Sequence, residues 1–148
     1  MVESRTMNLT VDRGLVAHAA VMTLLGLLSG FTPIFAKAPT AALETHTIGV
    51  LQGAMLFGLA AVWPSLGSGW AVRIARYCAL VGFYANWVGA QLAALWSAKG
   101  MFIVSGASMP AGAAPWMEAV VAVLLNLSLL VIMMCVLILW SLRGKPAT

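Results

Sequence analysis

The sequence predicts an all-α fold, a four-helix transmembrane bundle with both termini cytoplasmic. Three observations carry that prediction. Of the 148 residues, 62% are hydrophobic and 8% charged, with a mean hydropathy of +0.99, whereas a soluble domain carries about 25% charged residues to cover its hydrated surface. The apolar residues gather in four runs, each near or above the ~20 residues that cross ~30 Å of hydrocarbon. The basic residues divide unequally between the two sides those runs define. The same composition excludes a disordered chain and a nucleic-acid binder. Eight Lys and Arg against four Asp and Glu leave a charge of +4, too sparse for a phosphate-tracking surface.

The first helix is expected at about residues 14–36, after Arg5 and Arg13. Ala36-Lys37-Ala38 imitates a signal-peptide cleavage site, but the run is too long for a signal core, so this span is expected to be retained. A Lys37-Ala38-Pro39-Thr40 link leads to the second helix, about 46–66, which His46 opens. Gly67-Ser68-Gly69-Trp70 turns the chain into the third, about 72–98, and a Gly/Ala/Pro-rich segment from Gly100 to Pro115 precedes the fourth, about 117–142. None of these links has room for another domain, so residues 1–148 form one. Arg5, Arg13, Arg73, Arg76, Arg143 and Lys145 fall on the side of the termini and the second loop, against Lys37 and Lys99 on the other. The positive-inside rule puts the first group in the cytoplasm.

Small residues recur at helix-contact spacing: Gly26 with Gly30, Gly49 with Gly53, Ala54 with Gly58, and Ala85 with Gly89 and Ala93. In lipid this spacing brings backbones together. Cys78 and Cys135 sit in apolar runs without metal-type spacing and read as small hydrophobes. Trp63, Trp70, Trp96, Trp116 and Trp140 lie near span ends and read as interfacial anchors.

Polar groups at membrane depth carry the functional information, because each is costly unless paired or used. His46 lies on the second helix with Gln52 roughly 9 Å deeper at 1.5 Å per residue. His46, Gly49 and Gly53 share a helix face, which offers a flat surface beside an imidazole, suited to a planar macrocycle ligated by that nitrogen. Spacing leaves a second reading open: His46 as an interfacial cap, with the glycines packing another helix. His18 sits near the opposite membrane face, roughly 25 Å away by helix rise, so the two histidines cannot share one iron. A haem here would have one protein ligand and an open position, the arrangement of small-molecule chemistry rather than electron carriage. His18 itself reads as an interfacial or hydrogen-bonded histidine near a helix end. Gln52, Asn86 and Gln91 suit interhelical hydrogen bonding, while Tyr84, Trp87 and Gln91 make an aromatic face able to line a pocket. Glu44, Glu118 and Asp12 lie at span ends, so no carboxylate reaches the bilayer centre as a proton-coupled transporter requires.

The stretch His46-Thr47-Ile48-Gly49-Val50-Leu51-Gln52-Gly53-Ala54-Met55, then Trp63-Pro64-Ser65-Leu66, Tyr84-Ala85-Asn86-Trp87 and Leu92-Ala93-Ala94-Leu95-Trp96, resembles the hydroxylaminobenzene mutase family. The likeness runs on through Met117-Glu118, Leu125-Asn126-Leu127-Ser128-Leu129 and Leu139-Trp140-Ser141-Leu142-Arg143. The second-helix motif and Pro64 to Gly67 are also similar to styrene oxide isomerase, a haem b trimer. The resemblance implies an isomerase without net redox chemistry, a homotrimer in the bacterial inner membrane. It implies His46 as axial ligand of a ferric haem b flanked by Gly49 and Gly53, near a subunit interface, with the iron acting as Lewis acid. Catalytic roles then fall to Gln52, Tyr84 and Asn86, with Trp87 joining them around the substrate. An arylhydroxylamine would rearrange to a 2-aminophenol. Two departures bear on this: Gln52 stands where these families usually carry Asn, and Ala85 stands where styrene oxide isomerase carries an acidic residue, which favours the mutase. Glu118 is expected level with His46 and within reach of its second ring nitrogen, while Lys37 and Lys99 are candidates for haem propionates. The alternatives are an epoxide isomerase and a cofactor-free membrane subunit.

Overall fold

The computed structural model describes residues 10–98 and 112–143. Arg5, Lys99 and Lys145, used above for topology and propionate binding, lie outside them. The described chain forms α1 (Arg13–Ser29), a 3₁₀ turn (Thr32–Ile34), α2 (Pro39–Leu66), α3 (Trp70–Trp96), α4 (Pro115–Leu127) and α5 (Leu130–Leu142). Together they make four apolar spans, Arg13–Ile34, Pro39–Leu66, Trp70–Trp96 and Pro115–Leu142, each long enough to cross a membrane. There is no strand among the described residues.

Three boundaries differ from the sequence expectation, each for a local reason. α1 begins where the Asp12 carboxylate accepts the Leu15 amide at 2.9 Å, satisfying one of the free N–H groups of the first turn. It ends at Ser29 rather than near residue 36, because Pro33 cannot continue an α-helix and the chain tightens into a 3₁₀ turn. α2 starts at Pro39, seven residues before His46, because a proline fits the first helical position, where its missing N–H costs nothing. His46 is therefore two turns inside the helix instead of at its cap. The fourth span is broken: residues 128–129 leave the helix between α4 and α5. Neither Pro nor Gly causes the break. The Ser128 hydroxyl donates back to the Leu125 carbonyl at 2.6 Å, and Leu129, Val131 and Ile132 bond three residues back rather than four, a local 3₁₀ tightening that bends a helix.

The helices pack in a row, α1 on α2, α2 on α3, and α3 on both α4 and α5. The main core joins Leu15, Ala19 and Met22 of α1 to Leu56 and Ala60 of α2, Ala75, Ala79 and Phe83 of α3, and Met134 of α5. Trp63 belongs to this core at 6% exposure, a correction to its expected place as an interfacial anchor. A smaller cluster of Ala93, Ala98, Val121 and Leu125 fixes α4 to the far end of α3. The rest of the surface is apolar and outward, with Leu24, Leu28, Leu51, Ile132 and Leu139 all exposed, as lipid contact allows.

Candidate active site

The seam between α1 and α2 positions His46. A Cβ on Gly26 would lie 2.6 Å from the carbonyl carbon of Gly49, and one on Gly53 would lie 2.9 Å from the backbone nitrogen of Thr23, so both helices need glycine to reach this separation. Gly49 also meets Cδ1 of Trp87 at 3.0 Å from its would-be Cβ. The flat face expected at Gly49 and Gly53 is thus covered by α1 and Trp87 of the same chain. It is no open wall for a macrocycle.

That closeness does something else for His46. Its Nδ1 lies 2.8 Å from the carbonyl oxygen of Gly26. A carbonyl only accepts, so Nδ1 carries a proton, and the tautomer this selects has its lone pair on Nε2. Nε2 makes no hydrogen bond among the described residues. The partner sought in Glu118 is therefore a backbone carbonyl of α1. Metal-ligating histidines usually have their second nitrogen held in this way, which fixes the tautomer and the ring plane. Among the described residues no group of three His, Cys, Asp or Glu could hold a bare ion. A lone imidazole donor suits a metal that brings its own equatorial ligands, as haem iron does, so the residues present fit a haem on His46.

On another side of α2 lies a pocket of about 290 Å³, between α2, α3 and the break in the fourth span. Gln52 and Met55 of α2, Phe83 and Asn86 of α3, and Ser128 and Val131 beside the break line it. Its polar groups are two amides and a hydroxyl in apolar walls, the usual composition of a small-molecule site. Gln52 is 6% exposed, and its Oε1 is buried without a hydrogen-bond partner. An unmet buried acceptor costs about 1–3 kcal/mol.

The other expected site residues are distributed elsewhere. Tyr84 turns toward α1, where its hydroxyl lies 3.2 Å from Nδ1 of His18 and the rings meet edge to face at 5.9 Å. Gln91 ties three elements together: it accepts from Thr45 Oγ1 at 2.5 Å and donates to Thr32 Oγ1 at 2.6 Å. The face of Tyr84, Trp87 and Gln91, expected to line a pocket, thus packs against α1, α2 and the 3₁₀ turn. Trp87 Nε1 is also buried without a partner. His46 and Gln52 stand six residues apart, about 120° around a helix of 3.6 residues per turn, so in one subunit they face different sides. Sequence reasoning missed Phe83, Met55 and Val131 as pocket walls. Of the pocket's new members only Ser128, a polar group mid-span, gave a signal.

Residues 11–143 match the styrene oxide isomerase family. The chain belongs to that family. Within it, the chain is similar to hydroxylaminobenzene mutase HabB of Ectopseudomonas oleovorans, 37% identical over 136 residues that cover 91% of this chain and 83% of that one. It is also similar to hydroxylaminobenzene mutase HabA of the same organism, 39% identical over 85 residues covering 57% and 63% of the two chains. No solved structure matches. The family and these relatives make the chain an isomerase, built on four helices that can cross a membrane.

Proposed function

We propose that the chain rearranges hydroxylaminobenzene-type arylhydroxylamines to 2-aminophenols, as a homotrimer in a bacterial inner membrane with both termini cytoplasmic and ferric haem b on His46. The observation that carries the choice of substrate is the pair of amides, Gln52 and Asn86, lining the apolar pocket. An arylhydroxylamine brings N–H and O–H donors to those amides, whereas an epoxide oxygen only accepts. The names of the two relatives support the same choice.

When bound, the haem supplies a Lewis acid for the substrate oxygen. The chain's own residues do the rest. Gly26, through its carbonyl, holds the proton on His46 Nδ1 and keeps Nε2 available. The Gln52 and Asn86 amides offer donors and acceptors to the substrate, and Phe83 supplies an aromatic wall. The apolar lining keeps out water that would divert a ring cation to other products. His46 and this pocket face different sides of α2, so the reading requires the pocket of one subunit to meet the His46 of a neighbour.

The test is the visible spectrum of detergent-purified protein together with turnover of hydroxylaminobenzene and of styrene oxide, for wild type, His46→Ala and His18→Ala. A haem band and aminophenol formation, both lost in His46→Ala and kept in His18→Ala, are expected. Colourless wild-type protein from haem-replete cells would sink the haem reading. Turnover of the epoxide alone would replace the mutase with an epoxide isomerase.

A further inference from the structure

We propose that the groove between α2 and α5 is a lateral passage through which a small aromatic substrate moves between the lipid and the Gln52–Asn86 pocket, its ring resting on the bare helix surface at Gly58. This rests on the isomerase reading of that pocket. The groove encloses about 510 Å³ and is walled by Met55, Leu59 and Val62 of α2 facing Met134, Ile138 and Leu139 of α5. Met55 lines both this groove and the polar pocket, so the two are neighbours with a flexible, unbranched side chain between them. Val62 and Leu139 at the groove's edges are 50% and 63% exposed, which opens it to the surrounding lipid.

Gly58 sets this groove apart from the packed glycines. A Cβ built there meets no heavy atom within 4 Å, whereas Gly26, Gly49, Gly53 and Gly82 all meet neighbours closer than 3 Å. A glycine inside a helix weakens it relative to alanine, and at Gly58 no packing within the chain offsets that. The chemistry of the walls selects the occupant. Beside Gly58 and the thiol of Cys135 every lining side chain is a hydrocarbon or thioether, with nothing to hold water or a headgroup, and an apolar cavity of about 150 Å³ is known to stay dry and take up benzene. A benzene-type ring bearing one small polar group would cross this groove ring first and find its first hydrogen-bond partners at Gln52 and Asn86.

The experiment uses the full-length protein in lipid vesicles with Gly58→Ala, Gly58→Leu and Gly58→Phe. Gly58 is not among the pocket's lining residues, and a Cβ there meets nothing within 4 Å. With hydroxylaminobenzene, kcat/KM is expected to stay near wild type in Gly58→Ala and to fall about tenfold in Gly58→Leu and further in Gly58→Phe, with kcat at saturation within about twofold. In parallel, phenyldiazirine should photolabel Met55, Met134 and Ile138 in wild type, and excess 2-aminophenol should suppress that label. Unchanged kcat/KM in Gly58→Phe, or a label that 2-aminophenol does not displace, would mean that acyl chains merely fill the groove, and overturns the proposal. A changed oligomeric mass in Gly58→Phe by native mass spectrometry would make the groove a subunit contact and overturns it equally. A displaced label in protein that turns over no arylhydroxylamine would retire the proposed reaction and leave the passage standing.

Discussion

The two sides of α2 treat the same kind of residue in opposite ways. Toward α1, Gly26, Gly49 and Gly53 let backbones meet at distances no side chain tolerates, and the product of that contact is a hydrogen bond that fixes His46. Toward the fourth span, Gly58 meets nothing, the helix opposite is broken at 128–129, and a pocket lined by the amides of Gln52 and Asn86 remains. The first side uses closeness to immobilise an imidazole. The second uses incomplete packing to leave room for a guest. Small-residue spacing therefore marks where backbones are able to approach, and only the neighbouring helix decides whether they do.

The sharpest way to break this contrast is an added methyl group on each side. Gly26→Ala is expected to lose about 1–3 kcal/mol or more of stability, because backbone and not a movable side chain blocks the new Cβ, and Gly58→Ala to change it by less than about 0.5 kcal/mol. Thermal unfolding in detergent compares them directly, and equal midpoints for the two variants would erase the distinction between seam and groove. The second prediction concerns the groove side alone. Gln52→Leu should stabilise the fold by about 1 kcal/mol by removing the orphaned acceptor, while turnover falls at least about tenfold through loss of the substrate's partner. A variant that is both weaker and fully active would show that Gln52 serves packing only.

The smallest expected effect sharpens the seam at its outer end. Asp12, just ahead of the first span, pairs with Arg76 of α3, and the chain is tied further by Asp12 N–H donating to the Ala60 carbonyl at 3.0 Å. The Arg76 guanidinium hydrogen-bonded to Asp12, helped by the Leu15 amide and only partly opposed by burial, holds its carboxyl below the usual carboxylate range. A carboxylate depressed in the folded state stabilises above its unfolded pKa, about 3.9, and loses that contribution as pH falls through the folded value. The pair is 31% and 19% exposed, so its share is about 0.5–1 kcal/mol after screening. The Tm difference between wild type and Asp12→Asn should stay constant above about pH 5 and close on acidification. A difference that widens toward low pH would contradict the sign.

The spans were legible because hydropathy and length suffice to mark them, and the contact glycines were legible as a spacing. Which face they would meet was not, since Gly49 and Gly58 look alike until α1 and α5 are in place. The second partner of His46 was hidden for a related reason: every residue carries a carbonyl, and nothing in the letters singles out that of Gly26, whereas Glu118 drew attention by its charge. Pro39 stands in the sequence like part of a link, although the same proline serves equally well as a first helical residue. Gln52 and Asn86 were found as polar groups at depth. Tyr84 and Gln91 were found by the same signal, yet the structure spends them on His18 and on Thr45 and Thr32, because an amide or phenol in lipid takes whichever partner the fold presents.

The interruption at Ser128 and Leu129 also has a mechanical side. The two halves of the fourth span are anchored separately, α4 by Val121 and Leu125 against the far end of α3 and α5 by Met134 in the main core. The joint between them lies at the pocket wall, beside Ser128 and Val131. The joint itself is pinned to α3, where a Cβ on Gly82 would lie 3.1 Å from the backbone nitrogen of Val131. The wall that meets the guest is thus held as a shape, by a bent span seated on a glycine, just as the wall that aims the imidazole is.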